Sequence, residues 1–377
     1  MIISEINYIN YRNLKDYKVE FSSKINLFYG KNGQGKTSLL EAIYFVGTGK
    51  SFRTKKINDC IKYGKYKGGV FTIYEDNISR KDAIVKLIEG RKEFYLNGKK
   101  VPYDEYYGKI NIISYIPEDI LLINSVPSIR RDFFDGEISQ ANHDYFLLLK
   151  NFNNLLKIRN KYIKEKKHKS EEFSIYQNEF IKHSALIIKN RLEYVKLLSS
   201  LLSLNYRKLF DNTTELILEY SCHLGSLKKK TLSEIEKMIE EQIKEKFVQE
   251  LKYGFSLVGP QKDDFLFLLN SYESKANASQ GEKKSIIFSL KLAEIDMVLR
   301  DKKENPILIL DDVTSYFDSS RLYNVLNYLE KRNIQIFISS TEKLNIKSKN
   351  FYIKEGEVSD DDHDSKDNNH GDDKKES

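Results

Sequence analysis

Hydrophobic and polar positions alternate in short runs over the first 116 residues, as in Lys18-Val19-Glu20-Phe21 and Glu93-Phe94-Tyr95-Leu96. A period of two marks a strand with one buried face. Asn97-Gly98 follows the second run and predicts a tight hairpin turn. The apolar run Ile25-Asn26-Leu27-Phe28-Tyr29 predicts a buried strand, and Ser38 to Val46 predicts a helix. In the middle of the chain Ile181, Ala185, Ile188, Leu192, Val195 and Leu198 recur at steps of three and four, with charges on the other faces. That is the helical period. Glu215 to Tyr220 predicts a strand within this helical region. Strand character returns after Leu251, in Phe265-Leu266-Phe267-Leu268-Leu269 and in Ile307-Leu308-Ile309-Leu310. The chain shows no internal repeat.

Prolines sharpen the division. They stand at 102, 117, 127, 260 and 306, which leaves 132 proline-free residues between Pro127 and Pro260. A length of 377 residues is too great for one small core. Two domains, or one domain with a large helical insertion, are expected.

Composition changes the picture in three ways. No run of 18 apolar residues exists, so no membrane-spanning helix is expected. Met1-Ile2-Ile3-Ser4-Glu5 lacks the layout of a secretory signal, and a cytoplasmic protein is expected. With only Cys60 and Cys222, neither a disulfide scaffold nor a thiolate metal site is expected. The net charge is +7, but residues 359–377 hold eight Asp or Glu against three Lys, so the rest of the chain carries +12. A basic body suits a polyanion such as nucleic acid. A general richness in lysine explains it equally well. The acidic, low-complexity tail predicts disorder.

The candidate chemistry begins with Gly30-Lys31-Asn32-Gly33-Gln34-Gly35-Lys36-Thr37, which has the spacing of a phosphate-binding loop. It sits between the predicted strand and the predicted helix, where such a loop belongs. Glycines let backbone N–H groups turn toward phosphates. Lys36 supplies a point charge for the β- and γ-phosphates, and Thr37 a hydroxyl ligand for Mg²⁺. Ile307 to Leu310 followed by Asp311-Asp312 supplies the complement, a buried strand ending in two carboxylates. Asp311 is the candidate Mg²⁺ holder, and Asp312 the candidate base or orienter of water. Lys36 and Asp311 lie 275 positions apart, so something large is inserted between them. A third element, Ser279-Gln280-Gly281-Glu282-Lys283-Lys284, precedes a helix with Ile286, Leu290, Ala293 and Met297 on one face. Alone it reads as a helix cap. Beside the other two motifs it reads as the signature by which ABC-type ATPases bind the γ-phosphate held by an opposite subunit.

With these motifs in place, the chain resembles the RecF family of recombination-mediator ATPases, relatives of the SMC proteins. The resemblance rests on Asn10-Tyr11-Arg12-Asn13, on the loop through Leu40-Glu41-Ala42-Ile43-Tyr44, and on Gly49-Lys50-Ser51-Phe52-Arg53-Thr54. It continues in Pro117-Glu118-Asp119, Pro127-Ser128-Ile129-Arg130-Arg131-Asp132-Phe133-Phe134-Asp135 and Leu257-Val258-Gly259-Pro260-Gln261-Lys262-Asp263-Asp264. The signature and Leu310-Asp311-Asp312-Val313 complete it. Four stretches depart from the family pattern: Ser125-Val126, Phe52 for histidine, Gln261-Lys262 for His-Arg, and Thr314-Ser315-Tyr316-Phe317-Asp318 for a D-loop with glutamate. None touches Lys36, Asp311, Asp312 or Ser279.

The resemblance implies an α/β fold: an ABC-type P-loop ATPase head with a mixed sheet, an antiparallel β part and an inserted α-helical lobe. The implied boundaries are 1–116 plus 251–358 for the head, 117–250 for the lobe and 359–377 for the tail. It implies ATP and Mg²⁺ as cofactors, ATP-dependent dimerisation, slow hydrolysis and DNA binding. It also implies RecO- and RecR-type partners, RecA loading at single-strand gaps or stalled forks, and support of replication and the SOS response. Arg12 would approach the phosphates or ribose, Asn32 the γ-phosphate, and Ser279 and Gly281 would close from a second copy. For DNA the candidates are Arg130, Arg131, Lys161, Lys164, Lys166 and Lys167. The lysines belong to a run, Lys157 to Lys169, that includes Arg159 and is opposed only by Glu165. A solvated helix face explains that run as well, and Arg130 and Arg131 could instead brace the lobe. Other readings are an SMC- or RecN-like head, whose coiled coils far exceed 134 residues, and a transporter ATPase, whose signature reads Leu-Ser-Gly-Gly-Gln. A third is a nucleotide-gated scaffold with little turnover.

Overall fold

The alternating and apolar runs of the N-terminal region become strands in the computed structural model, which describes residues 1–316 and 319–361. They are β1 (Ile2–Ile9), β2 (Tyr17–Glu20), β3 (Ile25–Tyr29), β4 (Lys67–Glu75), β5 (Arg80–Ile88), β6 (Arg91–Leu96), β7 (Lys99–Val101) and β8 (Ile112–Tyr115). Further on come β9 (Leu216–Ser221), β10 (Asp264–Leu269), β11 (Tyr272–Glu273), β12 (Ile307–Leu310), β13 (Gln335–Ser340), β14 (Lys349–Lys354) and β15 (Glu357–Asp360). Asn97 and Gly98 turn between β6 and β7 at φ 49° and 72°, the left-handed pair that a two-residue hairpin needs.

Contacts divide the chain into two compact units, Met1–Glu118 with the residues from Glu294 on, and Asp119–Ala293. The first unit holds two six-stranded sheets. One is antiparallel, in the order β2-β1-β4-β5-β6-β7. The other, β15-β14-β3-β13-β12-β8, is parallel except at its β15 edge. The helix Lys36–Thr48 touches both sheets and is buried nearly all round, with Leu39, Leu40, Ile43, Phe45 and Val46 inside. Burying each such side chain contributes about 1.5–3 kcal/mol. A helix so covered cannot shift without opening the core, and that fixes the loop at its start.

The second unit contains the helices Pro127–Ala141, His143–Lys164, Glu171–Leu209 and Leu232–Tyr253. Ile181, Ala185, Ile188, Val195 and Leu198 are buried along the 39-residue third helix, as the period predicts, while Leu192 is half-buried. This unit is not purely helical: β9, β10 and β11 form a three-stranded antiparallel sheet. That sheet moves the dividing line. The sequence reading closes the lobe at residue 250, but β10 pairs with β9 over six residues, so 251–293 pack within the second unit. The tail also starts later than expected. Ser359 and Asp360 belong to β15 and pair with Tyr352 and Phe351. Residues 362–377, and Phe317 and Asp318 of the D-loop stretch, lie outside the described residues.

Both cysteines are free. Cys222 lies near His223 and Asp263. His223 Nε2 accepts from Gly259 N at 3.1 Å and Nδ1 meets Asp263 Oδ1 at 2.5 Å, so both ring nitrogens already have protein partners.

Candidate functional site

β3 ends at Tyr29 and the chain turns at once through Gly30 to Gly35 into the helix Lys36–Thr48. Gly30 has φ +146°, and a Cβ there would lie 2.4 Å from Ile353 O. Gly35, at φ 115°, caps the helix in a conformation that side chains resist. Gln34 anchors the loop: its backbone oxygen accepts from Gly356 N at 2.8 Å and its Oε1 from Glu355 N at 2.6 Å. Lys36 Nζ donates to Gly30 O at 2.6 Å and Lys31 O at 2.9 Å. Burial pulls the pKa of Lys36 down, with Asp312 and Asp311 acting against it. The ammonium is thus held over the loop by carbonyl oxygens that an anion could replace.

Asp311 follows β12, with β13 lying between β12 and β3. All three strands are parallel, so the loop and the carboxylates meet at their carboxyl ends. Thr37 Oγ1 donates to Asp311 Oδ1 at 3.0 Å, and Ser339 Oγ donates to the same oxygen at 2.6 Å. Ser339 Oγ also accepts from Asp312 N at 2.8 Å. The sequence reading missed Ser339. Its only signal is a hydroxyl at the end of the apolar run Ile336-Phe337-Ile338. Asp312 adopts φ 53°, and its Oδ2 lies 2.7 Å from Ser315 Oγ.

Burial pushes the Asp311 carboxyl up; the Ser339 and Thr37 hydrogen bonds work against that, and Asp312 and Glu118 add to the rise. Asp311 is 2% exposed. A buried carboxylate met by hydroxyls is a good ligand for a hard divalent cation, and Thr37 and Asp311 fit Mg²⁺ on that chemistry. A raised folded-state pKa means that ionised Asp311 costs stability. The cost is absent below the unfolded value of about 3.9 and builds as pH rises through the folded value. Asp311→Asn is therefore expected to raise the nucleotide-free melting temperature at about pH 7 by roughly 1–3 °C. The gain should fade toward about pH 4. Thermal unfolding at both pH values checks this, and an unchanged midpoint at the higher pH would contradict it.

These groups line one cleft of about 1150 Å³, together with Asn13, Asn32, Gly33, Gly35, Arg53 and Tyr63. That is above the usual size for a single small-molecule pocket. Arg12 also lines this cleft. Its Nε and NH2 bond Glu41 at 2.7 and 2.6 Å, and its NH1 donates to Asp59 O at 2.6 Å. Glu41 is fully buried, so Arg12 is the counter-charge that makes that burial tolerable. Its guanidinium is a strut of the cleft wall. Arg53, 41% exposed and 3.8 Å from Glu41, is the more accessible cation.

Ser279 and Gly281 belong to the second unit, at the start of the helix Gln280–Lys302. Ser279 N donates to Glu282 Oε2 at 2.7 Å, and Ser279 Oγ accepts from Glu282 N at 3.2 Å, a capping box. The hydroxyl accepts there, which leaves its own proton available to an anion.

The candidate DNA residues separate. Arg130 is a correction: its Nε and NH2 both bond Asp264 at 2.7 Å, and its side chain is 5% exposed. It braces the second unit and offers nothing to a phosphate. Arg131 NH1 donates to Asp263 O at 2.6 Å. Arg159 also leaves the basic run, being fully buried against Glu250 at 2.7 Å. Lys161, Lys164, Lys166 and Lys167 are exposed, and Lys167 pairs with Glu165 at 2.8 Å.

Residues 2–355 match the RecF/RecN/SMC N-terminal domain. The DNA replication and repair protein RecF of Alkaliphilus oremlandii is 32% identical, covering 95% of this chain and 100% of its own. That of Bacillus cytotoxicus is 33% identical, covering 95% and 98%. The solved structure of the recombination mediator protein RecF-ATP in the RecFOR pathway has a TM-score of 0.88 at 32% identity, covering 95% of this chain and 98% of that one. The Smc head bound to the C-winged helix domain of ScpA, 14% identical with a TM-score of 0.55, covers 95% and 96% and shares the fold. The fold is thus an SMC-type ABC ATPase head with a helical lobe, and by sequence and fold together the chain belongs to the RecF family.

Proposed function

We propose that this chain is an ATP-switched DNA-binding protein of recombinational repair. The observation that carries the reading is the Thr37–Asp311 contact at 3.0 Å, which joins loop and carboxylate across 274 positions. Lys36 binds the β- and γ-phosphates and Asn32 the γ-phosphate. Thr37 and Asp311 hold Mg²⁺, which supplies charge to the phosphate oxygens, and Asp312 orients the attacking water. Ser279 and Gly281 of a second copy close on the γ-phosphate, so ATP joins two heads and hydrolysis loosens them. Relatives named for DNA replication and repair, and one for the RecFOR pathway, support DNA and RecO- and RecR-type partners, and RecA loading at gaps or stalled forks is the output of the same proposal. Support of the SOS response and a cytoplasmic location belong to the same reading. No helix among the described residues is long and apolar enough to cross a membrane.

One observation favours a variant of this reading. The altered D-loop stretch, in which Ser315 Oγ lies 2.7 Å from Asp312 Oδ2, keeps a nucleotide-gated scaffold with slow turnover as the second reading. Anisotropy of a labelled gapped duplex, titrated with protein in Mg²⁺ plus ATP or ADP, tests the switch. Tight binding in ATP and weak binding in ADP is expected, and equal binding in both would sink it. Phosphate release measured on the same duplex separates a DNA-stimulated ATPase from the scaffold.

A further inference from the structure

The second unit carries a surface that the nucleotide reading leaves unused. The helix Leu232–Tyr253 stops at Gly254, in the left-handed region at φ 80°, and the chain leaves through Phe255 and Ser256. Ser256 is clamped to the helix His143–Lys164. Its N and Oγ donate to Asn160 Oδ1 at 2.8 and 2.7 Å, and its Oγ accepts from Arg159 NH1 at 2.6 Å. Arg159 pairs in turn with Glu250, both side chains being fully buried. The clamp holds the turn against the end of the lysine-bearing helix, and a Cβ on Gly254 would lie 3.9 Å from Lys164 Cγ.

The turn presents two aromatic rings outward. Tyr253 is 59% exposed and Phe255 43%. Their centroids are 6.0 Å apart with the planes 32° from parallel. Lys262 Nζ lies 5.2 Å from the Phe255 centroid. Lys164, beside Gly254, is exposed, and Lys166 and Lys167 follow it in the chain, exposed as well, with Glu165 paired to Lys167. A buried ion pair and three hydrogen bonds hold the turn that carries both rings, with the Lys262 ammonium against one of them.

Exposed rings beside a basic track suit unpaired bases: a base stacks on the ring while its phosphate meets a lysine. Duplex DNA has its base faces covered by one another and offers such a surface phosphates alone. We propose that this turn is a platform for single-stranded nucleic acid, with bases stacked on Tyr253 and Phe255 and phosphates against Lys164 and Lys262. The platform deepens the proposed function by naming how the single-stranded part of a gap is held. It needs no nucleotide, which separates its test from that of the switch.

The experiment uses the full chain at low salt without nucleotide. Labelled oligothymidine of about 15 nucleotides, an abasic backbone of equal length and the uridine RNA counterpart are titrated by anisotropy. Wild type is expected to bind oligothymidine about tenfold or more tighter than the abasic strand. The Tyr253→Ala, Phe255→Ala pair should lose that preference while keeping its abasic affinity and salt slope. The Tyr253→Phe variant should retain the preference. Lys164→Glu with Lys262→Glu should weaken both strands and flatten the salt slope. The RNA arm distinguishes deoxyribose from ribose strands, and the platform stands with either as its source. Equal binding of oligothymidine and abasic strand by wild type, as a surface for an acidic protein segment would give, overturns the proposal. So does an alanine pair that keeps the preference. A wild type that ignores oligothymidine but binds gapped duplex in ATP removes the platform and leaves the switch. Base-dependent binding without any ATP response on gapped duplex does the reverse.

Discussion

Lys36→Ala is expected to weaken ATP binding by roughly 100-fold. The physical reason is that one ammonium serves two phosphates, and charge-assisted contacts contribute about 1.5–3 kcal/mol each. Tenfold in affinity is about 1.4 kcal/mol, so two modest contacts account for the figure. In the free protein the same ammonium bonds Gly30 O and Lys31 O, so its loss has a second effect. Two carbonyls lose a donor, but a buried cation is also removed, and burial had been pulling its pKa down. These changes oppose each other, and the nucleotide-free melting temperature should move little. Thermal unfolding separates the two effects. At about 100 times the wild-type dissociation constant, ATP should stabilise wild type by about 2.7 kcal/mol and the variant by roughly 0.4 kcal/mol. An ATP-induced shift of equal size in both proteins would show that Lys36 is not a phosphate ligand.

Arg191→Met should destabilise the second unit by about 3–5 kcal/mol, the usual result of removing one partner from a buried ion pair. Arg191 is 3% exposed and bonds Asp135 through Nε and NH2 at 2.9 and 2.8 Å. Its NH1 donates to Pro260 O at 2.7 Å and lies 3.7 Å from Asp263 Oδ2. Tyr145 donates to Asp135 at 2.6 Å, and Tyr220 donates to Asp263. Methionine fills much of the volume but leaves two carboxylates facing each other without their shared cation. Denaturant unfolding gives the magnitude, and limited proteolysis should show new cleavage within 119–293. A loss below about 1 kcal/mol would place this hub among the surface pairs whose removal is nearly silent.

A cation can bind or hold: Lys36, in the glycine-rich loop, is placed to bind, and Arg191, within a helix, to hold. Arg12 and Arg130 make the same point. Each stands in a family stretch, and each is bonded to a carboxylate, Glu41 or Asp264. Arg130 and Asp264 are 134 positions apart, and no periodicity could have paired them. Ser339 escaped notice for a related reason. A hydroxyl after an apolar run is common, and it gains a role only because β13 lies between the loop strand and the carboxylate strand.

Other features were readable because they are local. Ile25 to Tyr29 is β3 with the same bounds, a mainly apolar run covered on both faces. The turn at Asn97-Gly98 follows from the left-handed backbone those two residues accept. The step of three and four along Ile181 to Leu198 follows from helical geometry. The loop and the acidic strand end were legible too, because phosphate and metal chemistry restricts residue types at short spacing. What the sequence by itself determined, then, is the set of elements, the inserted architecture and the chemical kinds of the site. Only the tertiary structure decided which charges are partnered, where the second unit ends and which aromatic rings stay outside. Those depend on desolvation and distance between remote segments, and a linear pattern records neither.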